Sequence, residues 1–216
     1  MGKREKGEKE LRGILPENAL ALKEWAVVVH ALGTGKQTVL LRKGGLHERH
    51  GRFATEPTEF FLFPTYVHQM EQGVTSEATA DLHTVMKSRP VEDQLVINYY
   101  AAVEELLWLD THEHLAALAD LHCWTPETVA HRFAYGTRAG LHLFVLRIYR
   151  LPQSHIMPLL KRYGGCRSWV DLAEPLSTTG ATPVLSEAAF AERVHEIRER
   201  LSACPVQERV ETRPSS

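Results

Sequence analysis

Apolar residues fall into short dense runs, parted by polar stretches marked with glycine and proline. That layout belongs to a chain that mixes strands with helices. The densest run is 25–32, WAVVVHAL, whose three consecutive valines predict a strand buried on both faces. Gly33-Thr34-Gly35-Lys36 reads as a turn, and 37–42 (QTVLLR) as the returning strand of a hairpin. Lys43-Gly44-Gly45 ends that strand, and the polar stretch 46–58, with His47, His50 and Arg52, predicts a loop. FFLF at 60–63 predicts a short strand stopped by Pro64, with Thr65 capping a helix from Tyr66.

Residues 76–86 read as a helix with Ser76 as its cap and Glu77 in the first turn. The stretch 95–109 fits both periods. Its β-branched and aromatic start (Val96, Ile97, Tyr99, Tyr100) favours a strand as far as Val103. Thr111 caps a helix expected over 111–121, and Thr125-Pro126-Glu127 opens another. Gly136 and Gly140 bracket a turn. LHLFVLRIYRL at 141–151 is the strongest strand of the second half, and Pro152 is expected to stop it. After a Thr/Gly/Pro-rich stretch from Ser177, an amphipathic helix is expected over 187–201. The expected organisation is a flexible leader (1–19), one domain (20–175), then a linker, short helix and disordered tail (176–216). The fold class is α+β: a mixed sheet or small partly open barrel flanked by helices.

Composition adds limits rather than identity. The 216 residues are 44% hydrophobic and 24% charged, with a net charge of −2, so any basic footprint must be local. No run approaches the ~18 apolar residues of a membrane span. The start, MGKREKGEKELR, lacks the apolar centre of a secretory signal. Three cysteines without a CxxC pair predict reduced thiols and a cytoplasmic setting.

The chemistry concentrates between His122 and Trp169, where Arg132, Arg147, Arg150, Arg162 and Arg167 lie among Trp124, Phe133, Tyr135, Tyr149, Tyr163 and Trp169. Guanidinium forks beside flat rings suit phosphates, carboxylates and stacked bases. Arg42 and Lys43 at a strand end add charge near backbone N–H groups, and His68 follows a strand–proline break. The candidate ligand-binding set is Arg42, Lys43, His68, Trp124, Arg132, Tyr135, Arg147, Arg167 and Trp169. For Arg147, an internal ion pair with Glu104 or Glu105 competes equally with a ligand role.

Catalytic signatures fail one by one. Gly33 to Thr38 lacks the spacing of a phosphate loop, since His30 and Gln37 stand where glycine and Ser/Thr are required. There is no GxSxG, no HExxH, and no acidic residue two before any lysine. His112 and His114 diverge on a helix, so no metal and no cofactor is expected. An enzyme using Cys166 or His68 is the second expectation, and a protein that docks a nuclease, with an apolar patch near the C-terminal helix, is the third.

Six segments together resemble a bacterial domain-of-unknown-function family, DUF1802: LKEWAVVVHAL, VLLRKGGLHE, FFLFPTYVHQ, LHCWTPETVAHRFAYG, LRIYRLPQ and YGGCRSWVDL. They cover roughly residues 20–173. Some members of that family occur fused or adjacent to Mrr-type restriction endonuclease domains. The resemblance therefore implies a link to restriction–modification or defence, with any cutting left to a nuclease partner. By pattern, the chain is also similar to PUA-like domains of the ASCH and EVE type, many of which hold a nucleotide or modified base. The first expectation is thus a non-catalytic module that binds nucleic acid or a nucleotide-like ligand.

Overall fold

The computed structural model describes residues 13–43, 58–67, 73–165 and 167–204. Seven strands form one open mixed sheet: β1 (Glu17–Trp25), β2 (Val39–Arg42), β3 (Glu59–Thr65), β4 (Gln94–Leu109), β5 (Leu141–Pro158), β6 (Trp169–Ser177) and β7 (Thr182–Pro183). Their order is β2-β5-β4-β3-β1-β6, with β7 on β5. Among the described residues, only β1 and β3 run parallel; the other pairings are antiparallel. Five helices accompany the sheet: α1 (Ala26–Gly33), α2 (Ser76–Lys87), α3 (His112–Ala117), α4 (Pro126–Ala134) and α5 (Glu187–Ser202). The architecture is α+β, as expected.

Side chains of all five helices join one large apolar cluster. A smaller cluster holds Ala21, Phe61, Phe63 and Tyr100. Phe60 and Leu62 belong to the first cluster, Phe61 and Phe63 to the second. Strand alternation therefore explains the unbroken FFLF run: β3 is buried on both faces.

The expected hairpin of 25–32 with 37–42 is not there. Residues 26–33 form helix α1, and β2 pairs with β5 instead. Every residue of α1 except His30 is buried, so its surroundings are apolar on almost all sides. A short apolar run of this kind has no amphipathic stripe and reads equally as buried strand or buried helix. Sheet order decides between them. β1 and β2 are separated by β3, β4 and β5, about 19 Å at ~4.8 Å per strand. An eight-residue helix of roughly 12 Å, plus its turn, carries the chain across that distance.

Other boundaries moved for equally physical reasons. β1 begins at Glu17, inside the stretch expected to be a leader. Pro64 does not stop β3. It lies where β3 pairs with β1 (Glu24 opposite Pro64), while the β3–β4 ladder ends at Phe61, so the missing N–H breaks no bond on that side. Thr65 ends the strand and donates its hydroxyl to the Glu24 carbonyl at 3.1 Å, and Tyr66 and Val67 after it are not helical. Pro152 does not stop β5 either. The β4–β5 register slips between Ile97 and Tyr99, so Pro152 falls in a bulge. β4 stays extended for 16 residues, well past Val103. α3 is shorter than expected and ends at Ala117, and α2 starts one residue after its cap, Thr75. α5 matches its expected span to within a residue, with Phe190, Val194 and Ile197 buried. The loop 46–58 falls almost wholly outside the described residues, as do the C-terminal tail from 205, His68 and Cys166.

Candidate functional site

Two capped helices frame the site. Thr111 caps α3 by accepting from the His114 N–H at 3.3 Å, and Thr125 caps α4 by accepting from the Thr128 N–H at 3.3 Å. Pro126 takes the first helical position, where its missing N–H costs nothing. The link between the helices is pinned at both sides of Trp124. The Thr75 N–H donates to the Cys123 carbonyl (2.9 Å), and the Thr125 N–H donates to the Gly73 carbonyl (3.2 Å). Trp124 is 1% exposed and meets Trp25 edge to face, with ring centroids 4.8 Å apart.

The Arg132 guanidinium lies 3.8 Å over the Trp124 ring and 6.0 Å from Trp25. Burial holds its pKa below the usual guanidinium value, while Glu24 opposes that effect. Glu24 is buried, but its oxygens are taken: one accepts from Arg42 at 2.6 Å, the other from the Trp25 N–H at 2.9 Å. Arg42 also donates to the Lys23 carbonyl (3.1 Å). Glu24 thus pairs with Arg42 and acts on Arg132 only through space.

Beside this stack, a cavity of about 220 Å³ opens between α3 and α4. His112, Leu115, His122, Trp124, Val129 and Ala130 contribute to its lining, and among the described residues that lining holds no Asp, Glu, Lys or Arg. His122 is 8% exposed and accepts from the Trp124 N–H at its Nδ1 (3.2 Å). Burial pushes its pKa down to about 4, with Arg132 adding to the effect and Asp120 opposing it. The ring is therefore neutral at pH 7, with its proton on Nε2. That Nε2 and the Trp124 Nε1 have no partner among the described residues. Two buried ring N–H groups without acceptors are costly and call for explanation.

Five candidates from the sequence gather around α4: Arg42, Lys43, Trp124, Arg132 and Tyr135. Lys43 is a structural peg. Its ammonium donates to the carbonyls of Phe133 (2.8 Å), Gly140 (3.0 Å) and Arg138, so it ties down the end of α4. Tyr135, just past α4, is 68% exposed. The other candidates lie elsewhere. Arg147 is buried, pairs with Glu187 at 2.9 Å and sits 4.6 Å over Phe190, so its partner comes from α5 and not from Glu104 or Glu105. Trp169 packs edge-on against Phe60 in the core, centroids 5.0 Å apart. Arg167 is exposed ahead of β6. Sequence reasoning singled out none of Glu24, Trp25 and His122 as a site residue. The HCW segment before a Thr-Pro cap is the signal that marks His122 and Trp124.

Three further findings bound the site. Among the described residues, no group of three or more His, Cys, Asp or Glu is placed to hold a metal ion, and no helix is long and apolar enough to cross a membrane. The large apolar side chains of α5, Phe190, Val194 and Ile197, face the core.

The chain belongs to the family described as Domain of unknown function (DUF1802), whose profile matches residues 21–196. Among solved structures it is similar to ASCH from Zymomonas mobilis: 12% identity, 82% of this chain and 93% of that one covered, TM-score 0.39. Two point mutants of the same Zymomonas mobilis protein give 12% and 14% identity. They cover 84% and 82% of this chain, 98% and 96% of theirs, with TM-scores of 0.40 and 0.38. No curated protein matches the chain. Likeness at this level leaves function to be argued from the chain's own residues.

Proposed function

We propose that this protein is a non-catalytic recognition module for nucleic acid or a nucleotide-like anion, acting in the cytoplasm. One observation carries the reading: the partly buried Arg132 guanidinium lies over Trp124, with Arg42 and the single carboxylate of Glu24 near it. A guanidinium held in place by an indole presents its fork to an anion, and a phosphate oxygen is the partner that fork fits best. Arg42 adds a second positive charge close by, against the single carboxylate of Glu24. The family resemblance extends the proposal to restriction–modification or defence, where this chain would recognise and a nuclease partner would cut.

The test is binding of single-stranded RNA, single-stranded DNA and duplex DNA at two salt concentrations, read by fluorescence anisotropy. Affinity is expected to fall as salt rises, because phosphate contacts release counterions. Arg132→Met should weaken binding by roughly 10- to 100-fold, the loss expected for one charge-assisted contact. No binding at low salt, or a well-folded Arg132→Met protein that binds like wild type, refutes the proposal.

A further inference from the structure

We propose that the groove between α3 and α4 receives a second copy of this chain, through the end of the sheet where β4 begins and β5 finishes. The proposal goes beyond the recognition reading and does not rest on it, since Arg42 and Arg132 take no part.

The groove is open to a partner with its walls where they stand. Ala116, Ala119 and Ala130 line it and are exposed, and the buried Leu115 and Val129 line it as well. Alanines at the mouth let another backbone come close. A volume of about 220 Å³ falls below the ~300–1,000 Å³ typical of pockets for small ligands. It suits an inserted aliphatic side chain better than a whole small molecule. The rim is acidic. Glu113 stands beside His112 and one turn ahead of Ala116, and Glu127 stands beside Pro126 and one turn ahead of Ala130. Asp120 follows Ala119 at the same edge, where it holds Arg200.

The opposite character lies where β4 begins and β5 finishes. Met86, Val91, Ile156 and Leu159 are exposed there, Val91 and Ile156 by 67% and 65%. The loop before β4 and the end of β5 form one unit. The Gln94 N–H donates to the Val91 carbonyl (3.2 Å), the Leu159 N–H donates to the Asp93 carbonyl (2.7 Å), and Ile156 lies opposite Val96. Exposed Lys87, Arg89, Lys161 and Arg162 outnumber the carboxylates of Glu92 and Asp93. Exposed aliphatic groups rimmed by charge mark contact surfaces. An aliphatic anchor in an apolar hollow, with opposite charges around it, is how protein interfaces are held and steered. The acidic rim turns away phosphates and favours a basic protein surface. Both halves of the fit occur on this chain, on different elements, so one copy can serve the next.

Sedimentation velocity of the intact protein, from micromolar to near-millimolar concentration, tests this. Apparent mass should rise with concentration, and added salt should weaken the association because the rim charges are exposed. Ala130→Arg blocks the groove from the exposed side of α4, and Val91→Asp spoils the inserting end. Each should weaken self-association at least about tenfold with the melting temperature unchanged. Where either variant lowers the melting temperature, Ala116→Arg or Ile156→Asp takes its place on the same surface. The decisive arm mixes a groove variant with an end variant. The first keeps a working end and the second a working groove, so an equimolar mixture should associate where neither does alone. A wild-type protein that stays single at every concentration overturns the proposal. So does association that survives both variants, or a mixture that associates no better than its parts.

Discussion

His122 should make this protein lose stability on mild acidification, well before ordinary acid denaturation. In the folded state its pKa is pushed down to about 4 by burial, against an unfolded value of 6.5. Between those values the unfolded chain holds the proton and the folded chain does not. Stability therefore rises with pH across the window and is fully present above pH 6.5. It is lost as pH falls toward 4. The whole shift corresponds to roughly 3 kcal/mol, of which about 2 kcal/mol should disappear between pH 7.5 and pH 5. The assay is urea unfolding at those two pH values for wild type and His122→Gln. Glutamine does not titrate, and its side-chain oxygen still accepts from the Trp124 N–H. Other groups that titrate in the same range cancel in the comparison. The wild type should lose about 2 kcal/mol more than the variant. Equal losses, or an imidazole that titrates near 6.5 by NMR, would show that His122 is not sealed in the way argued here.

Gly33→Ala would place a methyl carbon 2.2–2.6 Å from three atoms of the Tyr99 ring, which Arg150 also covers. A stability loss of about 1–3 kcal/mol is expected in thermal denaturation, and no loss would deny the close approach. Lys43→Met removes three carbonyl contacts at the end of α4. Stability should fall by roughly 1–3 kcal/mol, with faster amide exchange in the last turn of that helix; unchanged exchange would contradict the peg. Arg147→Met should cost no more than about 1 kcal/mol, because Arg147 Nη1 is already buried without a partner and Glu187, once released, is exposed to water. A loss above roughly 3 kcal/mol would give that ion pair a larger role. Tyr135→Ala should change stability by less than about 0.5 kcal/mol, since the ring is exposed; a larger loss would mean that it packs.

Local chemistry was legible in the sequence. Thr111 and Thr125-Pro126 cap their helices as expected, because a cap depends on three or four neighbouring residues. The start of β5 and the span of α5 were legible for the same reason. Sheet order was not. Whether 26–33 coils or extends depends on where β2 finds its partner, and that partner lies beyond residue 140. The prolines misled because the bonds they lack were never needed: Pro64 sits beyond the end of a ladder and Pro152 within a bulge. At the site, the richness in arginine and aromatic residues was plain, but its pairing was not. Arg132 stacks on Trp124, whereas Arg147 and Trp169 serve the core, and only tertiary contacts separate those fates. Glu24 lay unnoticed in a strand, since a lone carboxylate shows nothing until the guanidinium it pairs with is found.

The detour through α1 also sets a timetable for synthesis. Val39 lies opposite Val145 on its neighbour strand, and Leu22 waits for Trp169 on the opposite border. Such distant pairings slow folding, because long loops must close before any contact rewards them. A ribosome will have released most of the polypeptide before either margin of the sheet can zip shut. Until then the valines of the first helix have no roof, and the newborn molecule depends on speed or on chaperones to escape sticking to its neighbours.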